Sequence, residues 1–215
     1  MCARYTLFAT PDQIACLFDV EAPREVQPRY NIAPSATVPT VAQLPGQDRS
    51  LMMAVWGLVP VWAGAEARGF INARAESASE KPAFRAAMKR RRILIPSTGF
   101  YEWRTENGRK QPYFIAMNDG GLFAFAGVWE PRDGLPTCAI LTTSANEVVE
   151  PIHDRMPVIV DRGDFELWLD PKVTDAAKLA HLLRPFAAER MHAYAVDRRV
   201  GNPWFDDPTA IAPIG

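Results

Sequence analysis

No apolar run in the sequence approaches the ~18 residues that a membrane-spanning helix needs. The first residues, MCARYTLF, lack the charged stretch and long apolar segment of a secretory signal. Cysteine is scarce: Cys2, Cys16 and Cys138 form neither a disulfide framework nor a C-x-x-C pair. That scarcity fits a reducing cytoplasm, where thiols persist. His153, His181 and His192 have no ligand-like spacing to the cysteines, so no metal site is expected. Net charge is nearly absent too, at a formal −1, which argues against a wholesale polyanion binder while saying nothing of how charge is distributed. No repeat, low-complexity tract or linker divides the chain. Its 215 residues are therefore expected to form one domain around one core.

What is present is ordinary in amount and uneven in kind. The chain is 48% hydrophobic and 23% charged, as a globular protein requires. Its basic residues are 19 arginines against 5 lysines. Arginine's planar fork suits bidentate phosphate contacts, but a GC-rich coding sequence gives the same excess. Composition thus permits nucleic-acid binding without demanding it. The 19 prolines are scattered, which favours many short elements over long helices.

Local chemistry places those elements. Thr10-Pro11-Asp12-Gln13 reads as a helix start, with Thr10 as N-cap, Pro11 at the first helical position and Gln13 closing a capping box. The helix is expected to run to about Val20. Residues 38–44 and 51–56 read as strands around the turn Pro45-Gly46-Gln47-Asp48. A second helix is expected over 82–91, leading into an apolar strand at 93–95. Segments 113–117 and 122–128 flank Asn118-Asp119-Gly120-Gly121, which predicts a hairpin. Further strands are expected at 3–8, 138–143, 158–160 and 191–196, with helical pattern at 165–169 and 175–183. The predicted class is α+β: a curled, mostly antiparallel sheet with peripheral helices. Periodicity does not say whether that sheet closes into a barrel.

Chemistry-bearing residues begin with Cys2. A small residue after Met1 permits removal of the initiator methionine, which would leave a thiol and an α-amine on adjacent carbons. The amine's unperturbed pKa lies near ~8, so part of it is neutral at physiological pH. A neutral amine attacks an aldehyde to give an imine, and the neighbouring thiol can close on that imine as a five-membered thiazolidine. In an extended segment Asn72, Arg74 and Glu76 would share one face, either a solvated strand surface or the floor of a polar site. Glu102 lies between Tyr101 and Trp103. Shielded by them its carboxyl would be suited to proton transfer; pointed at water it would not. His153 suits proton traffic near neutral pH, and Arg155 follows two residues on. Lys89-Arg90-Arg91-Arg92 is the densest basic run, a pattern usual for a solvated helix face. Trp56, Trp62 and Trp103 are either core or stacking platforms for bases.

Taken in order, these segments resemble one family. Met1-Cys2-x-Arg4, Arg29-Tyr30-Asn31-Ile32-Ala33-Pro34, Trp56-Gly57-Leu58-Val59-Pro60-x-Trp62 and Asn72-Ala73-Arg74-x-Glu76 are followed by Pro96-x-x-Gly99-Phe100-Tyr101-Glu102-Trp103, Thr142-Thr143-x-Ala145-Asn146 and His153-x-Arg155-Met156-Pro157. The set resembles the SOS response-associated peptidase (SRAP) family over residues 2–200, leaving 201–215 as a C-terminal extension without a motif. The resemblance implies a distorted β-barrel and an abasic-site processing activity on single-stranded DNA. In that activity Cys2 would crosslink to the ring-opened sugar aldehyde. It implies Cys2 as nucleophile, Glu102 as acid/base beside the amine, and His153 as the group that assists opening of the deoxyribose. Asn72 would hold the Cys2 backbone or the sugar. Arg4, Arg74 and Arg155 would contact phosphates, and Trp62 and Trp103 would wedge or stack against flanking bases. No cofactor, metal or membrane is implied. A monomer is expected, nucleoid-associated when engaged on DNA. Ala3 departs from the glycine common in the family at this position, adding a methyl beside the nucleophile. Two rivals share the same residues: a cysteine-dependent (auto)peptidase with an N-terminal nucleophile, and a non-covalent binder of single-stranded or modified DNA in which Cys2 is structural.

Overall fold

The computed structural model describes residues 2–22, 26–64 and 66–214. Strand β1 (Tyr5–Leu7) leads to helix α1 (Pro11–Phe18), then β2 (Arg29–Ile32), β3 (Thr37–Gln43), β4 (Arg49–Trp56) and β5 (Asn72–Arg74). Two short helices, α2 (Ala75–Ala78) and α3 (Arg85–Arg90), precede β6 (Arg92–Ser97), β7 (Gly99–Glu106), β8 (Arg109–Met117), β9 (Phe123–Glu130) and β10 (Thr137–Ser144). The chain ends through β11 (Arg155–Pro157), β12 (Ile159–Val160), α4 (Phe165–Leu169) and β13 (Met191–Ala195), with 3-10 turns between and after them. This is the expected α+β class, mostly sheet with few helices. Segment 175–183, expected to be helical, is a 3-10 stretch over Ala176–Leu182.

The strands divide into two sheets. One has the order β13-β8-β7-β1-β2. The other follows β11-β10-β4-β3-β6-β9-β12, with β5 added against β10. Because β9 also pairs with β10, strands β10, β4, β3, β6 and β9 form a closed circuit. The circuit is uneven: β10 meets β4 in parallel over only Thr137↔Val55 and Cys138↔Trp56. Most other pairings are antiparallel, β5 with β10 being the second parallel one. Large side chains fill the interior. Tyr5 meets Trp56 and Phe125 edge-on at centroid separations of 5.3 and 5.7 Å, a favoured aromatic geometry.

Local signals account for α1. The Gln13 amide donates to Thr10 Oγ1 at 3.3 Å and the Thr10 amide donates to Gln13 Oε1 at 2.8 Å, so the capping box forms as expected. The helix stops two residues early, where Asp19 turns left-handed at φ 55°. Its apolar edge carries Ile14 and Phe18 inward, and Phe18 stacks on Phe165 of α4.

One expected element is not formed. Residues 118–121 do turn, with Gly120 at φ 65°, but β8 and β9 do not pair. β8 lies between β7 and β13, while β9 lies in the other sheet, buried along nearly all its length. The turn is a crossover between sheets, because β9 takes its ladder partners from β6, β10 and β12. The hairpin is instead β7–β8, closed by Asn107 and Gly108 at φ 49° and 76°. Two adjacent positive-φ residues match the right-handed twist of the strands they join.

Candidate functional site

Strand β1 lies between β2 and β7, with Tyr5 opposite both Ile32 and Phe100 and the Tyr101 amide donating to the Arg4 carbonyl at 3.0 Å. Cys2 therefore enters from a pinned strand end, and it is fully buried. Its thiol faces the Arg4 carbonyl oxygen at 3.8 Å. Burial, reinforced by the nearby Glu102 carboxylate, pushes that thiol far above its ordinary range. Thiolates, not thiols, are the reactive sulfur nucleophiles; in this environment Cys2 is held as the neutral thiol.

Asn72 reaches the same point from the other sheet. β5 pairs in parallel with β10, aligning Asn72 with Ile140 and Arg74 with Thr142. The upstream register is pinned by Trp56, which is wholly buried and donates its indole N–H to the Ile71 carbonyl at 2.8 Å. Trp56 is thus core, not a stacking platform. From this anchor Asn72 Nδ2 donates to the Cys2 carbonyl at 2.8 Å, while its Oδ1 is buried without a partner. The expectation that Asn72, Arg74 and Glu76 share one strand face fails at Glu76. The strand ends at Arg74, and Glu76 lies in the first turn of α2.

Glu102 sits on β7 and is 2% exposed. Burial raises its pKa, and His153 and the Trp103 backbone N–H draw it partly back. Glu102 thus senses His153, and Cys2 senses Glu102 in turn. The turn bearing His153 leads into β11, which pairs with β10 on the stretch that also meets β5. Both pairings meet at Thr142, which is aligned with Arg74 of β5 and with Pro157 of β11. The Arg155 amide donates to His153 Nδ1 at 3.0 Å, which places the neutral ring's proton on Nε2. Asp154 Oδ1 lies 2.9 Å from the same Nδ1, a contact that only the protonated ring can make as an ion pair. With the Asp154 side chain 87% exposed, the backbone bond is the stronger constraint on the neutral ring.

The three arginines differ sharply. Arg74 is exposed at the end of β5. Arg4 donates to the Val200 and Gly201 carbonyls at 2.8 and 3.2 Å, holding the C-terminal segment against β1. Arg155 donates to Glu76 Oε1 and Oε2 at 2.6 and 2.8 Å and to the Thr142 carbonyl at 2.6 Å. Trp62 is 69% exposed in a loop whose ends are joined by the Leu58↔Phe70 bridge. At the base of that loop Gly57 takes φ 146°, and Gly69 abuts the Gly57 backbone too closely to carry a Cβ. Trp103 is half-buried beside Glu102, opposite Pro112. Of the basic run, Arg92 is not solvated: it is 3% exposed, and its guanidinium donates to the Met88, Lys89, Trp168 and Asp170 carbonyls.

Two further residues frame the site. Asn31 places its amide nitrogen 3.0–3.1 Å from the Val200, Asn202 and Phe205 carbonyls. Asp206 accepts from the Tyr30 and Asn31 amides and from the Arg29 guanidinium. The motif residues 29–31 gave no sign of this partner, since an aspartate 175 residues further on carries no local signal. Trp204, 90% exposed next to this clamp, also stands outside the motifs.

Residues 1–203 match the family described as SOS response associated peptidase (SRAP). The chain is 42% identical over 222 residues to abasic site processing protein YoqW of Bacillus subtilis, covering 98% of this chain and 99% of that protein. It is 42% identical over 214 residues to abasic site processing protein YoaM of the same organism, covering 94% of each. Among solved structures, an X-ray structure of a protein from Bacteroides thetaiotaomicron superposes with a TM-score of 0.87 at 27% identity, over 100% of both chains.

Proposed function

The chain belongs to the SOS response associated peptidase family, and from that premise we propose that it processes abasic sites by capturing them covalently through Cys2. The observation that carries the reading is the convergence on Cys2: Asn72 grips its carbonyl, and the buried Glu102 senses both the thiol and His153.

Chemistry follows from the protonation states. The thiol is held neutral, so the amine must act first. Once Met1 is removed, the Cys2 α-amine adds to the C1′ aldehyde of the ring-opened abasic sugar, forming a C–N bond. Glu102 relays one proton from the added nitrogen to the former carbonyl oxygen, giving the carbinol hydroxyl, and then a second, so that the hydroxyl leaves as water and the neutral imine remains. The thiol then adds to the imine carbon, its proton passing through Glu102 to nitrogen, and the thiazolidine ring closes. His153, with Nε2–H directed away from its backbone bond, hydrogen-bonds to the sugar ring oxygen as C1′–O4′ breaks, that oxygen taking up a proton while the C1′ hydroxyl gives up its own to become the aldehyde. A buried carboxyl with a raised pKa suits both halves of this proton transfer. Holding amine, thiol and aldehyde together supplies the remainder through proximity.

The single-stranded substrate meets the exposed Arg74 through its phosphate, and Trp62 and Trp103 pack against flanking bases. An imine that escapes ring closure permits loss of a C2′ proton and cleavage of the C3′–O bond, so a lyase side activity accompanies capture. Peptidase chemistry led by a thiolate is disfavoured by the same burial that holds the thiol protonated.

The test is a denaturing gel of purified protein with single-stranded DNA containing one abasic site. A shifted band from the native protein and none from Cys2→Ala is expected; equal bands from both would overturn the proposal.

A further inference from the structure

Strand β7 does not stop at Glu102. It runs on to Glu106, turns at Asn107-Gly108 and returns as β8, so the hairpin projects past the candidate site by four residue pairs. At ~3.4 Å per residue that is a length of about 14 Å. Side chains alternate between the faces of a strand, and directly opposed residues share a face. Arg104, Glu106, Arg109 and Gln111 therefore lie on the face of Glu102 and Tyr113, while Trp103, Thr105, Lys110 and Pro112 take the other.

A second segment adds to that face. Arg198 is exposed at the start of the 3-10 turn Arg198–Gly201, and its Nε donates to Gln111 Oε1 at 3.1 Å. Gln111 is itself held, its amide nitrogen donating to the Pro112 and Val196 carbonyls at 3.0 and 2.8 Å. Arg104 lies over the Tyr113 ring, 4.8 Å from its centroid, and donates to Glu106 Oε1 at 2.7 Å. Beyond Glu102, the face thus sets three cations, Arg104, Arg109 and Arg198, against one carboxylate, Glu106. That carboxyl accepts from Tyr113 and Arg104 and feels Arg198 as well, which holds it below the usual carboxylate range. Arg199 next door is paired with Asp197 and leaves this balance unchanged. A positive face therefore adjoins the site on a chain whose net charge is negative.

We infer that this face of the hairpin, with Arg198 laid against it, is a phosphate track: Arg104, Arg109 and Arg198 take the backbone of the single strand on one side of the captured nucleotide. The inference rests on the proposed capture of abasic DNA and deepens it by giving that strand a path away from Glu102. The length suits such a path, since about 14 Å spans about four stacked nucleotides at ~3.4 Å each. The residue type suits it too, because the guanidinium fork matches phosphate oxygens. Among the described residues neither Arg109 nor Arg198 has an ion pair, and both are exposed, so replacing them leaves the core intact.

The test is equilibrium binding of a single strand that carries a tetrahydrofuran abasic analogue, which has no aldehyde and so reads association apart from capture. Arg109→Gln and Arg198→Gln should each make the slope of log affinity against log salt shallower by about 0.7, the share of one phosphate contact on a single strand. Lys110→Gln, adjacent in sequence but on the other face, should keep the native slope. With the analogue placed near one end of the strand or the other, both arginine effects should appear for one polarity of tail and vanish for the other. Single-turnover capture at saturating abasic DNA should keep its native rate in all three variants. Native slopes in both arginine variants would overturn the inference. So would an equal loss in Lys110→Gln, or the same loss with either tail, each the mark of diffuse attraction rather than a track. A native protein that binds the analogue strand but forms no covalent product with an abasic one would sink the capture chemistry, while the salt slopes would still decide the track.

Discussion

Glu102 sits where burial works against its charge, and two consequences follow. A carboxyl whose folded pKa lies above its unfolded value binds its proton more tightly when folded. Its contribution to stability therefore falls as pH rises from the ordinary carboxylate range through the raised value. Glu102→Gln removes that penalty. It should raise the thermal midpoint near neutral pH by a few degrees, as a gain of about 1 kcal/mol does in a chain of this size. The same variant should lose capture activity, and scanning calorimetry beside the denaturing gel checks both halves. Arg92 is the opposite case, a buried cation satisfied by four carbonyls, although burial still lowers its pKa to about 10. Arg92→Met leaves those acceptors unpaired between α3, β6 and α4. A loss on the order of 3 kcal/mol in urea unfolding is expected.

At the scale of elements, stability depends on caps and clamps that differ in how far apart their residues lie. Thr10→Ala breaks both bonds of the capping box and should cost about 1 kcal/mol without changing capture. Asp206→Ala strips the acceptor from the Tyr30 and Asn31 amides and the Arg29 guanidinium. Urea unfolding should register about 2 kcal/mol of lost stability. The contrast explains what could be read from the sequence. The α1 cap is encoded within four residues, and the reading of 10–13 matches the structure closely. Strands at 38–44, 51–56 and 138–143 were legible to within a residue or two, because their apolar runs end in turn-forming residues. Residues 118–121 carry genuine turn chemistry, yet the pairing of β8 and β9 is decided by strands elsewhere in the chain. Asp206 lies beyond both the motifs and the matched residues, so nothing nearby announces its partners.

Over the whole molecule, β10 organises the candidate site. It joins the uneven barrel circuit, receives β5 in parallel and receives β11 in antiparallel. The motifs quoted from the sequence named the residues around Cys2, but not their internal commitments. Arg155 and Arg4 looked alike as cations, and only the fold shows them spent on Glu76 and on the Val200 and Gly201 carbonyls. On the proposed reading, exposed Arg74 is the arginine of the three left open to a phosphate. Arg74→Gln should reduce the salt slope of initial DNA association by somewhat under 1 in log–log units. The covalent product, once formed, should resist salt in native and variant proteins alike. Everything in the mechanism depends on a free α-amine at Cys2, acting before its thiol. Intact mass of the purified protein before and after exposure to abasic single-stranded DNA measures this most directly. The account predicts a starting mass lacking Met1 and a covalent adduct on that species, with no adduct on a variant that keeps one residue ahead of Cys2. An adduct of equal yield on that blocked variant would contradict it.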